Sequence, residues 1–340
     1  DAAVVARLRA AGAVIFGKTV TTEVAYRHPG KTRNPHDPER TPGGSSSGSA
    51  AAVAAAMLPL ALGSQTAGSV IRPASFCGVF GMKPSHGLIG RTGVMLHSRK
   101  LDHLGVYGRT LEDIALIMDT VAGYDPDDPD SRAVAAPAFM QTALETPPVT
   151  PRLAFVRTPV WNKADADART AFEQLVDALG DLIQPVELPD EFAAAWEAHR
   201  IVMMTDMAHR HAELVARGGD ANSEPLRRQV AEGRTVPAVT YLAALDDARR
   251  YAAGLAEVFE YYDAILTPAA AGVAPKGTSW TGDPVFNALW TLTGLPAVSL
   301  PLLQGESGMP IGVQLVAAHG HDARLLRTCN WLLGVLSDKA

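Results

Sequence analysis

Cysteine is scarce. Two thiols in 340 residues, Cys77 and Cys329, are too far apart for a CxxC pair and too few for a disulfide framework, so a reducing, cytoplasmic setting is expected. Long apolar runs are missing too: the longest, 50–62, stops at about 13 residues and is alanine-rich, short of the roughly 18 that a membrane span requires. No basic segment followed by an apolar one opens the chain, so no membrane partner is expected. An excess of basic residues is also absent. With 30 Lys and Arg against 36 Asp and Glu, the net charge is −6, and a nucleic-acid partner, which needs clustered cations to displace counterions, is not expected. The 30 glycines and 24 prolines stay below the share that marks a low-complexity chain.

What is present is a chain of 47% hydrophobic residues, enough for two domains or one large α/β domain. The first residues already read as an amphipathic helix, with Val4, Val5 and Leu8 on one face and Gly12 as its stop. The apolar run Ala13 to Phe16 then reads as a buried strand, and helix followed by strand suggests a parallel α/β unit. A Pro- and Arg-rich loop follows, then a small-residue helix over Ser45 to Ala56 and strands over Leu58 to Leu62 and Val79 to Met82. Thr110 caps a helix running to about Ala122, with Asp113 in the usual Glu position of a capping box. The cluster Asp125 to Asp130 reads as a solvated turn. Leu153 to Val156 reads as a strand; Ala168 to Leu179, Phe192 to Ala216 and Ala238 to Phe259 carry apolar residues at helical spacing. Strands return at Ala264 to Leu266, Ala297 to Leu300 and Gly312 to Val316, and Ala323 to Leu336 closes as an amphipathic helix. The expectation is a single large α/β domain with a mixed central sheet flanked by helices. Within it, 1–140 form the core, 160–262 a helical insertion lining the substrate pocket, and 263–340 the return to the sheet.

Two formal motif matches point elsewhere. Gly12 to Thr19 fits the phosphate-loop pattern GxxxxGK[ST], but its four intervening residues are apolar and suit a strand rather than a phosphate cradle. Gly44 to Gly48 fits the nucleophile elbow GxSxG, with Ser46 as nucleophile and one of ten histidines as base; that motif needs a strand immediately before it, and here an irregular loop stands there. The pairs His209/His211 and His319/His321 lack further ligands at recognisable spacing, so no metal is expected. Cys77, the five Trp and the nine Met are expected to be packing residues.

Taken together, Gly43 to Gly48, Gly63 to Ala74 and Cys77 to Pro84 resemble the amidase signature family. The likeness extends to Gly17 to Thr19, Thr32 to Pro35, Leu101 and Asp102, Asp263 to Pro268, Leu292 to Pro301 and Pro310 to Gln314. The resemblance implies a Ser-cisSer-Lys triad that hydrolyses a carboxamide without metal or organic cofactor. In it Ser69 is the nucleophile that forms an acyl-enzyme, and Ser45, on a cis peptide bond, relays the proton. Gly43 and Gly44 give that bond room, and Ser46 supports Ser45. The N–H groups of Thr66, Ala67, Gly68 and Ser69 form the oxyanion hole, a task suited to small residues.

The chain departs from the family pattern in three places. Gln65 stands where an acidic residue is usual, Ala67 where Gly is usual, and Arg72 lies one position farther from the nucleophile than the usual Arg. These changes resemble the malonamidase-like subgroup more than the amidase-type subunits of the glutamyl-tRNA amidotransferases. The family's lysine base lies upstream of the helix with which these residues begin, so an N-terminal segment is expected to be missing; Lys18 and Lys83 match other, structural positions. Arg72 is open between holding a substrate carboxylate and pairing with a structural one. The expected partner is a small-molecule amide, and the apolar helix Ala323 to Leu336 leaves a homodimer open. Alternatives are a non-catalytic relative or a component of an amidotransferase complex, and an α/β-hydrolase esterase.

Overall fold

A computed structural model describes residues 1–338. Eight strands form one sheet: β1 (Ala61–Gln65), β2 (Phe80–Lys83), β3 (His103–Gly108), β4 (Leu153–Val156), β5 (Ile183–Val186), β6 (Ala264–Pro268), β7 (Ala297–Gln304) and β8 (Pro310–Val316). Their order is β1-β3-β2-β7-β8-β6-β4-β5. All neighbours are antiparallel except β6-β4 and β4-β5, which are parallel, so the sheet is mixed. The helices are α1 (Ala3–Ala10), α2 (Ser47–Ala54), α3 (Ile71–Cys77), α4 (Leu111–Val121), α5 (Phe139–Leu144), α6 (Ala166–Leu179), α7 (Ala195–Gly218), α8 (Glu224–Gly233), α9 (Ala238–Val258), α10 (Ala288–Leu292) and α11 (Asp322–Ser337). Among the described residues none is long and apolar enough to cross a membrane.

Successive strand residues point to opposite faces, and the core divides accordingly. Leu153 and Phe155 of β4, Ala264 and Leu266 of β6, and Val298 and Leu300 of β7 pack on one side with α1, α4, α5, α6 and α11. Ala154, Val156, Ile265 and Ala297 face the other side, against α7, α8, α9 and α10. Both faces are covered, which is why the strands read as continuous apolar runs. Thr110 caps α4 as expected: its Oγ1 accepts from Asp113 N at 3.1 Å, and the Asp113 carboxylate accepts from Arg109 N at 2.9 Å.

Several expectations are corrected. Ala13 to Phe16 is not a buried strand: Val14 is 89% and Phe16 80% exposed, and the helix-then-strand unit is not formed, because no strand among the described residues runs beside it. The strand expected at Leu58 to Leu62 starts only at Ala61, beyond Pro59. Strand β5 went unread because Pro185 interrupts it; it lies at the sheet edge, where a missing N–H is tolerated. The apolar face of α11 is not exposed: Leu325, Leu326, Cys329 and Leu332 are buried and the helix lies against α5, so it lends no support to a dimer.

The turn Asp125 to Asp130 is not solvated either. Asp125 and Asp128 are buried. Arg91, 37 residues earlier in sequence than Asp128, places its guanidinium on that carboxylate at 2.9 Å through both Nε and Nη2, and also reaches Asp130 at 2.5 Å. Its Nη1 donates to Asp102 O at 3.0 Å and Arg99 O at 2.8 Å. A cation with five donors matches this set of oxygens. Removing one side of a buried ion pair costs about 3–5 kcal/mol, so Arg91→Met, which strands the Asp128 carboxylate, is expected to lower unfolding free energy by that amount in urea titration. A loss under about 1 kcal/mol would mean the cluster behaves as a surface pair.

Candidate active site

The loop of 66–69 joins β1 to α3 and lines a cavity of about 170 Å³ together with Tyr26, Arg27, His97, Met203 and Trp280. Each of its four carbonyls has a partner. Thr66 O bonds His199 Nε2 at 2.9 Å, and Ala67 O accepts from Thr291 Oγ1 at 2.7 Å. Gly68 O accepts from Arg72 N at 3.0 Å and Ser69 O from the Tyr107 hydroxyl at 3.1 Å. The backbone N–H groups of Thr66, Ala67, Gly68 and Ser69 donate to no acceptor among the described residues. In a trans peptide the carbonyl of one residue and the N–H of the next point in opposite directions. Anchoring the carbonyls on one side therefore turns the following donors to the other. At Gly68 this packing demands glycine, since a Cβ there would lie 2.3 Å from Asn287 Oδ1.

Side chains fix the same loop. Gln65 Oε1 accepts from Val70 N at 2.8 Å and Ile71 N at 3.0 Å, and its Nε2 donates to Thr291 Oγ1 at 3.0 Å. Thr66 Oγ1 donates to Asp102 Oδ1 at 2.6 Å. Asp102 Oδ2 accepts from His97 N at 2.6 Å and Ser98 N at 3.2 Å. Burial still raises the Asp102 carboxyl to about 6. Behind the cavity wall, His97 Nδ1 and His211 Nε2 are 3.0 Å apart, so one imidazole donates to the other.

The second serine segment sits on the same side. The peptide bond between Gly44 and Ser45 is cis. Ser45 O accepts from Thr22 N at 3.1 Å and Thr21 Oγ1 at 3.0 Å. Gly43 has φ +81°, and a Cβ there would meet Pro73 Cα at 2.8 Å, so glycine is required twice over. Ser46 does not bond Ser45; its Oγ donates to Ser64 O at 3.2 Å and accepts from Ser64 N at 3.1 Å, tying the segment to β1. The Oγ atoms of Ser45 and Ser69 have no hydrogen-bond partner among the described residues.

Arg72 takes neither of the roles left open for it. Its Nη2 donates to Gly44 O at 2.6 Å and its Nε to Thr281 O at 2.8 Å, and no carboxylate among the described residues lies within ion-pair distance. It is a clamp joining α3, the Gly43 to Ser45 segment and the loop at Thr281. Burial lowers it to about 10, while the Asp283 carboxylate opposes that shift; it stays charged. Lys83 is fully buried, its ammonium on Leu295 O and Pro84 O, and burial lowers it to about 7. Lys18 is exposed. Neither bonds Ser45 or Ser69. Cys77 packs as expected, its Sγ 3.3 Å from Pro42 O. His199, Thr291 and Arg27 carried no local signal, since the first two reach the loop across 133 and 224 residues.

One mixed sheet with a serine- and glycine-rich segment seated against its β1 end defines the class of α/β enzymes built on the amidase signature. The chain belongs to the Amidase family, whose model matches residues 1–326. It is 35% identical to the amidase-family component of the glutamyl-tRNA(Gln) amidotransferase of Thermus thermophilus, over 96% of this chain and 76% of that one. It is 36% identical to AtzE, a component of the 1-carboxybiuret hydrolase of Pseudomonas sp. (strain ADP), over 96% and 75%. Among solved structures, 6-aminohexanoate cyclic dimer hydrolase with bound substrate superposes with a TM-score of 0.85 at 29% identity, covering 99% of this chain and 78% of that one.

The buried histidines make stability depend on pH. Burial lowers His86, His97, His199 and His211 to about 4, and lowers His103, His319 and His321 as well. Between about 4 and the ordinary 6.5 the unfolded chain thus binds more protons at these sites, and stability is lost as pH falls. Asp102, Asp165 and Asp322, raised by burial, act in the opposite sense, three groups against seven. Tm is expected to drop steadily from pH 7 to pH 4.5 in calorimetry; a flat or rising Tm would contradict the neutral assignment of these imidazoles.

Proposed function

We propose that this protein is a serine amidase that cleaves a carboxamide C–N bond through an acyl-enzyme on Ser69. The observation that carries the reading is the set of unpaired N–H groups beside the unpaired Ser69 hydroxyl, on a loop whose carbonyls are all anchored. Donors fixed in advance toward a developing oxyanion are worth about 3–4 kcal/mol each. In this reading Ser69 Oγ attacks the carbonyl carbon and its proton passes through Ser45 Oγ to the lysine that the family resemblance implies, a residue outside 1–340. The C–N bond then breaks, Ser45 returns a proton to the departing nitrogen, and water cleaves the acyl ester. No step calls for a metal or organic cofactor.

The cavity favours a small amide bearing an anionic group. Two guanidiniums, Arg27 and Arg72, line it with one carboxylate, Asp283. Arg72 is spent on carbonyls. Arg27 is exposed, has no ion pair among the described residues, and lies over the Tyr26 ring at 5.6 Å, which orients it. Met203, Met207 and Trp280 supply the apolar wall. A second reading, one component of a larger assembly, is supported by the names of the relatives, which are parts of multi-chain enzymes, and would appear as co-purifying chains.

The test is labelling of the natural protein, purified from cells that make it, with a fluorophosphonate. An adduct on Ser69, lost in Ser69→Ala together with amide hydrolysis, is expected; an adduct on Ser46 would replace this reading by the esterase one, and none on either by a non-catalytic role. For substrate class, Arg27→Gln is expected to raise KM about five- to tenfold for a carboxylate-bearing amide, as loss of roughly 1 kcal/mol implies. KM for a neutral amide should stay unchanged. Equal effects on both would remove the anionic preference.

A further inference from the structure

Gln65 and Thr291 are both buried, lie 226 positions apart, and meet at 3.0 Å. The Gln65 carboxamide is used at both ends: Oε1 takes the first N–H groups after Ser69, from Val70 and Ile71, while Nε2 donates to the Thr291 hydroxyl. A hydroxyl has one proton to give. With Gln65 donating into it, Thr291 directs that proton outward, to Ala67 O at 2.7 Å or to Asn287 O at 3.1 Å. The shorter contact is to the loop.

A carboxylate at position 65 would still accept the two N–H groups, yet it has nothing to donate. It would draw the Thr291 proton to itself and leave Ala67 O with no donor. We infer that Gln65 and Thr291 form one positioning unit: the amide sets the direction of the Thr291 hydroxyl, the hydroxyl holds the Ala67 carbonyl, and the planar Ala67-Gly68 peptide thereby aims the Gly68 N–H. Neither side chain touches substrate. The usual acidic residue at this position would be incompatible with this use of Thr291, so the two residues are matched to each other.

The inference rests on the acyl-enzyme reading above. Gln65→Glu preserves shape and both acceptors while removing the donor, and Thr291→Val removes the hydroxyl. Each is expected to lower kcat about tenfold, below the full loss of an oxyanion donor, with KM within about twofold. The Ser69 labelling rate should fall in parallel. The double variant is expected to be no worse than the worse single one, as for residues acting as a unit, and Thr291→Ser to restore kcat. Additive losses, or wild-type kcat in either single variant, would overturn the inference. If Gln65→Glu does not fold, as read by circular dichroism, Thr291→Val against Thr291→Ser decides alone: equal kcat in the two overturns it. Absence of any Ser69 label in the wild type would fail the amidase reading; normal label with unaltered rates in the variants would fail only this one.

Discussion

A planar peptide cannot turn its carbonyl one way without turning the next N–H the other way, and the site rests on that constraint. Four consecutive carbonyls are anchored, and the anchors come from four elements: α7 through His199, α10 through Thr291, α3 through the Arg72 N–H, and β3 through Tyr107. A loop of four residues is thereby given one conformation by parts of the chain spread over more than two hundred positions. Small residues allow the backbone to come close; they do not orient it. Orientation is supplied from outside, which is why so much fold surrounds so short a loop.

The nature of the anchors is as informative as their positions. His199 donates as a neutral imidazole, since burial lowers it to about 4. It thus holds Thr66 O without placing a formal charge beside the donors that the carbonyl is meant to free. Arg72 does bring a charge, but spends two of its nitrogens on the carbonyls of Gly44 and Thr281. The same residue that follows the nucleophile thus sets the distance between the two serine segments. Ser46 performs the matching task on the other flank, binding both polar groups of Ser64.

Much of this was legible in the sequence where the cause is local. The strand at Leu153–Val156 is found where its apolar run predicts it, the three long helices of the middle third follow their apolar spacing, and the Thr110 cap forms with its neighbour three residues on. The serine and glycine segments were legible because backbone strain and close approach restrict residue choice within a few positions. What was not legible depends on a partner far along the chain. The run Ala13 to Phe16 has the composition of a buried strand, but burial needs a neighbour that composition cannot supply. The acidic turn at Asp125 looked solvated because Arg91 is invisible from it. The parts played by His199 and Thr291 were missed for the same reason, each being an ordinary helical residue until the fold brings it to the loop.

Sequence distance between Ala67 and Thr291 also orders events during synthesis. The serine segments and β1 leave the ribosome early, whereas the hydroxyl that holds Ala67 O is 224 residues behind. At about 5–20 residues per second, the loop waits on the order of 10–45 s for that partner. Its nascent form has its serines and glycines and lacks the means to aim them, so the chemistry of this loop is withheld until most of the polypeptide has been made.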